Sequence, residues 1–310
     1  MCHLPQLTQP ELWQHGSRLP VLGELFALLA AVAFALATVL SRRFMVGKNP
    51  VTPEAGVLVS IVTNVVAFGL LAWLERAGSG GAPLSPRSLA YFVLGGLCGT
   101  LAGRNLSYQS VLRIGAARST AVRLSNTLFA ALIGMVLLRE LPRPGQLLGA
   151  GLITGGLWLV VRERGDGGRP DPAGVLLAVG GAVGFALGDS FRRAGLQITP
   201  SPFLGAWIGA CTALVAHSIW LKMRRGRASS CSPWRADVLA SALANTAAIL
   251  LLFLGLQRSP VANVAVLYNL QVLLVIVLSR WMLRGDEGIG PGLVVGGVLC
   301  VAGTAGVLFG

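Results

Sequence analysis

The sequence predicts an all-α membrane protein of ten transmembrane helices in two inverted five-helix repeats. Three observations predict it: an apolar, charge-poor composition, ten apolar runs of bilayer length, and a segment-by-segment likeness between the two halves. The chain has 310 residues, 54% of them hydrophobic and only 12% charged, with a mean hydropathy of +0.71. A soluble domain carries about twice that share of charge, roughly 25%, and so few charges cannot cover the surface of a chain this size. Disorder needs low hydrophobicity with high charge, which is the reverse of this composition.

The apolar runs recur at about 22–41, 55–74, 88–112, 115–138, 145–161, 173–191, 203–221, 236–256, 260–283 and 290–309. Each approaches the roughly 20 residues that cross about 30 Å of hydrocarbon at 1.5 Å per residue. None shows the alternation of a membrane β-barrel strand. The breaks carry turn and charge signals: GKNPVTPE (47–54), AGSGGAPLSP (77–86), RERGDGGRPDP (162–172) and KMRRGRASSCSPWR (222–235). Residues 1–21 read as a polar N-terminal tail without the basic start and compact apolar core of a signal peptide.

The repeat gives the domain organisation. AVAFALATVLSRR (31–43) is similar to AVGFALGDSFRRA (182–194) at an offset of 151, VLRIGAARS…LLREL (111–141) to LQRSPVANV…MLRGDE (256–287), and LLGAGLITGG (147–156) to VVGGVLCVAG (294–303). The order is the same in both halves, so the units are 22–161 and 173–310, with 162–172 as linker. An odd number of crossings turns the second unit upside down, an arrangement that puts a transport site at the repeat interface near the midplane.

Charge and cysteine usage exclude other classes. Lys and Arg number 25 against 12 Asp and Glu, a net charge of +13. These cations stand at the ends of apolar segments, as a membrane protein's do, and are not clustered as a nucleic-acid surface requires. Cys2, Cys98, Cys211, Cys231 and Cys300 form no CxxC pair, and His3, His15 and His217 are far apart, so neither a disulfide framework nor a metal cluster is expected. No phosphate-binding Gly loop next to Lys-Ser/Thr, no HExxH and no GxSxG is present, so no cofactor and no enzymatic activity are expected.

The run YQSVLRIGAARSTAVRLSNTLFAALIGMVLLRELPRPGQLLGAGLITGGLWLVV and its counterpart FLGLQRSPVANVAVLYNLQVLLVIVLSRWMLRGDEGIGPGLVVGGVLCVAGTAGVLF resemble the helix 3–4–5 block of an EamA-type transporter of the drug/metabolite transporter superfamily. The resemblance covers roughly 22–309. It implies a ten-helix carrier of small metabolites in the cell (inner) membrane, often an exporter. A flippase, or flippase subunit, for a lipid-linked sugar or phosphate is the alternative role it implies. That family commonly has Ser-Pro in the middle of helices 4 and 9. Here Ser125-Asn126 and Leu270-Gln271 stand instead, without the proline that breaks the helix. The first helix also resembles that of the small multidrug resistance proteins, whose intramembrane Glu exchanges protons for cations. Phe34, and Phe185 in the second half, occupy that position, which argues against this device.

Ionisable residues inside the apolar spans are few, and a charge at the bilayer centre costs roughly 2.5–3.5 kcal/mol on insertion scales. They are Arg104, Arg118, Arg123 and Asp189. Arg118 stands near a helix start, where it can snorkel. Arg123 lies a turn deeper on a polar stripe with Ser119, Thr120, Asn126 and Thr127. Arg104 shares a polar patch with Asn105, Tyr108 and Gln109. Asp189 is either a proton-coupling carboxylate or a counter-ion for one of the arginines. An offset of 145 relates Arg123 to Tyr268 and Asn126 to Gln271, so two equivalent helices put polar groups at one depth. The expected substrate site is Arg104, Arg123, Asn126, Asp189, Tyr268 and Asn269, and its positive balance favours an anionic or zwitterionic small-molecule metabolite. Asn64, Asn245 and Thr246 read as bonds between neighbouring helices. Gly149 with Gly156, and Gly296 with Gly303, read as packing positions within or between protomers, the latter as a homodimer. Membrane lipid is the other expected partner, and nucleic acid is not one. Orientation has two readings: the resemblance puts both termini in the cytoplasm, whereas cations concentrated at 42–48, 162–169 and 222–235 put them outside.

Overall fold

Among the described residues the polypeptide forms ten helical elements of a multi-pass membrane fold. They are α1 (Pro20–Val46), α2 (Pro53–Ser79), α3, α4, α5 (Pro144–Arg162), α6 (Pro172–Ile198), α7 (Pro202–Met223), α8 (Ala236–Leu256), α9 and α10 (Pro291–Phe309). Three are built in pieces: α3 from Pro86–Gly95, a π-helical Gly96–Gly103 and Arg104–Ile114; α4 from Ala116–Arg123 and Asn126–Leu138; α9 from Val261–Asn269 and Gln271–Met282. The computed structural model describes residues 20–47, 49–79, 83–138, 144–163, 171–223, 234–256, 258, 261–283 and 290–309; the tail to residue 19 and the linker at 164–170 lie outside them. Proline opens α1, α2, α3, α5, α6, α7 and α10. At a first helical position its missing N–H costs nothing and its fixed φ suits the helix.

α1 and α6 run past the paired arginines at which the apolar pattern ends them. α1, α2 and α6 each have 27 residues, about 40 Å at 1.5 Å per residue. Charged residues toward the C-terminal ends of α1 and α6 therefore stand inside these helices and find partners. Arg42, inside α1, donates from Nη1 to the carbonyls of Val111 and Leu112 at the C-terminal end of α3, where a cation also meets the negative end of the helix dipole.

Helix pairing demonstrates the inversion. Along the α2–α7 seam, Glu54 meets His217, Val57 and Ile61 meet Ala213, and Glu75 meets Ser201, so the helices are antiparallel. Along the α5–α10 seam, Gly149 faces Gly303 and Val307, and Gly156 faces Gly296 and Cys300. Glu163 at the end of α5 then accepts the Gly292 N–H at the start of α10, 3.0 Å away. Each seam joins equivalent helices of the two repeats running in opposite directions. The remaining pairs follow the same two-fold pattern: α1 against α8 is matched by α6 against α3, and α1 against α9 by α6 against α4. The four glycines expected to pack within or between protomers are engaged within the chain.

α4 and α9 break without proline. Leu124 and Ser125 bond back three residues to Ala121 and Val122, and Leu270 bonds back three residues to Leu267, each a tight turn inside the helix. The local cause is a run of short polar side chains, Ser125-Asn126 in one helix and Asn269 in the other, which prefer turns and caps to helix interiors. The offset of 145 puts Leu270 opposite Ser125, so both repeats carry the break at one position. α3 and α4 are joined by a single residue, Gly115, whose φ of 89° only glycine adopts without strain.

Polar bonds tie the helices where hydrophobic burial alone does not. Thr246 Oγ1 lies 2.7 Å from Asn64 Oδ1 between α8 and α2, and Ser241 donates to the Ala37 carbonyl at 2.8 Å between α8 and α1. Thr246→Val should lower thermal stability by about 0.6–2 kcal/mol, the usual range for such bonds; an unchanged unfolding curve contradicts it. Outside the membrane span, Arg113 donates to Asp171 at 3.0 Å and Asp171 caps the Ala173 N–H of α6 at 3.0 Å. The Arg113 bond, with the Ala173 N–H second, holds this carboxyl below its ordinary value of 3.8. A lowered value stabilises the fold above the ordinary carboxylate range, and the contribution is lost as pH falls through the lowered value. The small difference in melting temperature between wild type and Asp171→Asn at neutral pH should therefore vanish in acid.

Candidate substrate site

The two helix breaks meet through their side chains. Arg123, the last residue of the first half of α4, donates from Nη2 to Oε1 of Gln271, the first residue of the second half of α9, at 2.9 Å. Gln271 is buried. The Arg123 guanidinium lies over the Phe185 ring of α6, with Cζ 5.6 Å from the centroid, a cation–π distance. Phe34 of α1 packs edge-on against Tyr268 of α9, centroids 5.0 Å apart. These contacts are equivalent, because the repeat offsets relate Arg123 to Tyr268 and Phe34 to Phe185. The first helix of each repeat thus lays a phenylalanine on the broken helix of the other repeat.

Arg104 reaches the same region from α3. It is only 8% exposed. Its Nη1 donates to the Ser60 hydroxyl of α2. It lies within Coulombic reach of Tyr108, Arg192, Arg123 and Tyr268. The π-helical stretch GLCGTLAG lets α3 come this close: a Cβ at Gly96 would stand 2.4 Å from the Gly209 carbonyl oxygen of α7, and one at Gly188 would stand 2.6 Å from the Gly99 Cα.

Asp189 is the counter-ion of Arg192, at 2.9 Å, and not of Arg104 or Arg123. Arg192 also donates to the Thr100 hydroxyl on the π-helical stretch at 2.8 Å. The apolar run ends at residue 191 and so puts Arg192 outside the membrane, whereas α6 continues to Ile198. The Asp-Arg spacing of three within DSFRR was the available signal. Ser60, in a run that also holds Thr63 and Asn64, gives none. Asn126 accepts from Thr127 Oγ1 at 3.3 Å, and Asn269 is buried beside the α9 break. Neither bonds to an arginine among the described residues.

The local balance is three guanidinium groups, Arg104, Arg123 and Arg192, against the one carboxylate of Asp189. None of the ion pairs among the described residues includes Arg104 or Arg123. Their partners are neutral: a serine, a glutamine and a phenyl face. Among the described residues no three His, Cys, Asp or Glu side chains gather as a metal centre requires.

The EamA-like transporter family model matches residues 21–162 and 172–309, nearly the whole chain in two segments. The chain belongs to the EamA-like transporter family. It is accordingly a multi-pass membrane protein of a family of transporters, and membership points away from an enzyme. A solved structure titled only as the crystal structure of a protein is similar to this EamA-like chain at 19% identity, over 92% of this chain and 94% of that one, with a TM-score of 0.63. At that identity the likeness shows the fold alone. Comparison with curated proteins gives no match.

Proposed function

We propose that this EamA-like protein is a secondary transporter that carries a small anionic or zwitterionic metabolite across the cell (inner) membrane by alternating access, in the direction of export. One observation supports the reading: among the described residues, Arg104 and Arg123 stand in the helix bundle with neutral partners only. A buried cation costs several kcal/mol unless a counter-charge meets it. A cargo anion is that counter-charge, and the guanidinium fork binds carboxylate or phosphate in two parallel bonds. Tyr268, Asn126 and Asn269 complete the site with neutral donors and acceptors. Asp189, 61% exposed beside Arg192, is the group offered to the ammonium of a zwitterion. The broken α4 and α9 supply hinges on the pseudo-two-fold axis. Pairing of two copies, in this reading, uses the outer face of α5, where Gly151 and Gly155 have open space.

Thermal unfolding of the detergent-purified protein against a metabolite panel of anions, zwitterions and cations tests the substrate class. A ligand at 100 times its dissociation constant should stabilise by about 2.7 kcal/mol. Stabilisation confined to anions or zwitterions supports the reading. Stabilisation by cations alone contradicts it, and a flat panel shifts the weight to a lipid-linked substrate.

A further inference from the structure

His217 of α7 takes no part in the arginine site, yet it is 0% exposed and hydrogen-bonded at both ring nitrogens. Its Nε2 lies 3.0 Å from the Glu54 carbonyl oxygen at the start of α2. A carbonyl only accepts, so Nε2 carries the hydrogen and the neutral ring has its lone pair at Nδ1. That lone pair accepts from Asn105 Nδ2 of α3 at 3.4 Å, and the same amide donates to the Leu101 carbonyl at 2.9 Å. Asn105 Oδ1 is buried with no hydrogen-bond partner, a costly state for an amide oxygen.

These observations fit one purpose. We infer that His217 and Asn105 form a proton-binding site, separate from the arginine pair, that takes up the coupling ion. The incoming proton bonds to the Nδ1 lone pair. The Asn105 amide then turns, gives up its bond to Leu101, and presents Oδ1 as acceptor to Nδ1–H. Nε2–H stays on the Glu54 carbonyl throughout. The orphaned oxygen of the neutral state becomes the acceptor of a charge-assisted bond in the protonated state, the stronger kind. Histidine is the side chain whose ordinary pKa, about 6.5, makes such uptake a physiological event.

The surroundings supply a counter-charge. From α2, the Glu54 carboxylate lies within Coulombic reach of the ring. From α3, Asn105 is the contact and Arg104 is its neighbour in sequence. On α7 itself Trp220 stacks at 5.6 Å. The site is six residues from the end of α7 at Met223, roughly 9 Å by helical rise. It therefore lies nearer one side of the membrane than the other. As a coupling site it rests on the transporter reading; as a proton site it does not.

The test is a pH titration of the ligand-free protein in bilayers, with isotope-labelled histidine read by solid-state NMR in a His3→Gln, His15→Gln background, so that His217 is the one histidine observed. On acidification the Nδ1 signal should change from bare to protonated while Nε2–H persists. In Asn105→Leu, which removes the acceptor, the midpoint should fall by about one pH unit or more. A His217 that keeps its bare Nδ1 down to pH 4.5 overturns the proposal, as does a midpoint unmoved by Asn105→Leu. Because no cargo is added, neither outcome depends on whether the anion assignment holds.

Discussion

Arg123→Gln should abolish binding and transport of the cargo anion while leaving the folded protein intact. The guanidinium gives up two charged hydrogen bonds to a carboxylate or phosphate when it becomes an amide. A hydrogen bond to a charged group is worth about 1.5–3 kcal/mol, so affinity should fall by about 10- to 150-fold for each bond lost. Among the described residues the unliganded fold loses the bond to Gln271 and the contact with Phe185. It also sheds a half-buried cation that has no carboxylate partner among the described residues, so its melting temperature should be unchanged or higher. The measurement is ligand-induced stabilisation of wild type and variant side by side. Equal stabilisation in both, or a collapse of the unliganded variant, contradicts the assignment of Arg123 to the cargo.

Gly149→Ala should be strongly destabilising where Gly151→Ala, two residues along the same helix, is not. A Cβ at Gly149 would stand 2.4 Å from the Val307 backbone nitrogen and 2.5 Å from the Gly303 carbonyl oxygen. Backbone on both sides leaves no flexible side chain to move, so α5 and α10 must separate. Helices in lipid are held by close packing and not by the hydrophobic effect, so the loss spreads along the seam to Gly156, Gly296 and Cys300. Overpacking of this kind costs typically about 1–3 kcal/mol. At Gly151 a Cβ meets nothing within 4 Å, and alanine there gains roughly 0.5–1 kcal/mol from helix propensity. Thermal unfolding should give the two variants shifts of opposite sign. Similar shifts would show that the α5–α10 seam is not the tight contact described.

The architecture was legible because hydropathy reports helices of bilayer length and because each repeat is written twice. What escaped was the part of the structure that side-chain partners decide. Apolar patterning ends a helix at a pair of adjacent charges, Arg42-Arg43 or Arg192-Arg193, and so puts Arg42 and Arg192 outside helices that contain them. Arg42 belongs to α1 because the carbonyls at the end of α3 receive it, and Arg192 to α6 because Asp189 and Thr100 do. The breaks in α4 and α9 were read through proline, whereas Ser125, Asn126 and Asn269 achieve the same turn. Phe34 and Phe185 were weighed as missing carboxylates, and only their packing on Tyr268 and Arg123 reveals their place. His217 gave no local signal, since its partners lie on two other helices. The equivalence of Arg123 and Tyr268 was legible, because an internal repeat transmits position without any contact being known.

Exchange across a membrane tests the central claim most directly. Proteoliposomes loaded with the unlabelled anion or zwitterion that best stabilises the protein are diluted into the same compound carrying a label. Wild-type protein should take up label saturably, and Arg123→Gln, reconstituted at equal density, should take up none above empty liposomes. Uptake by the variant equal to wild type, or exchange of cations in place of anions, would contradict the assignment of the arginine pair to an anionic cargo.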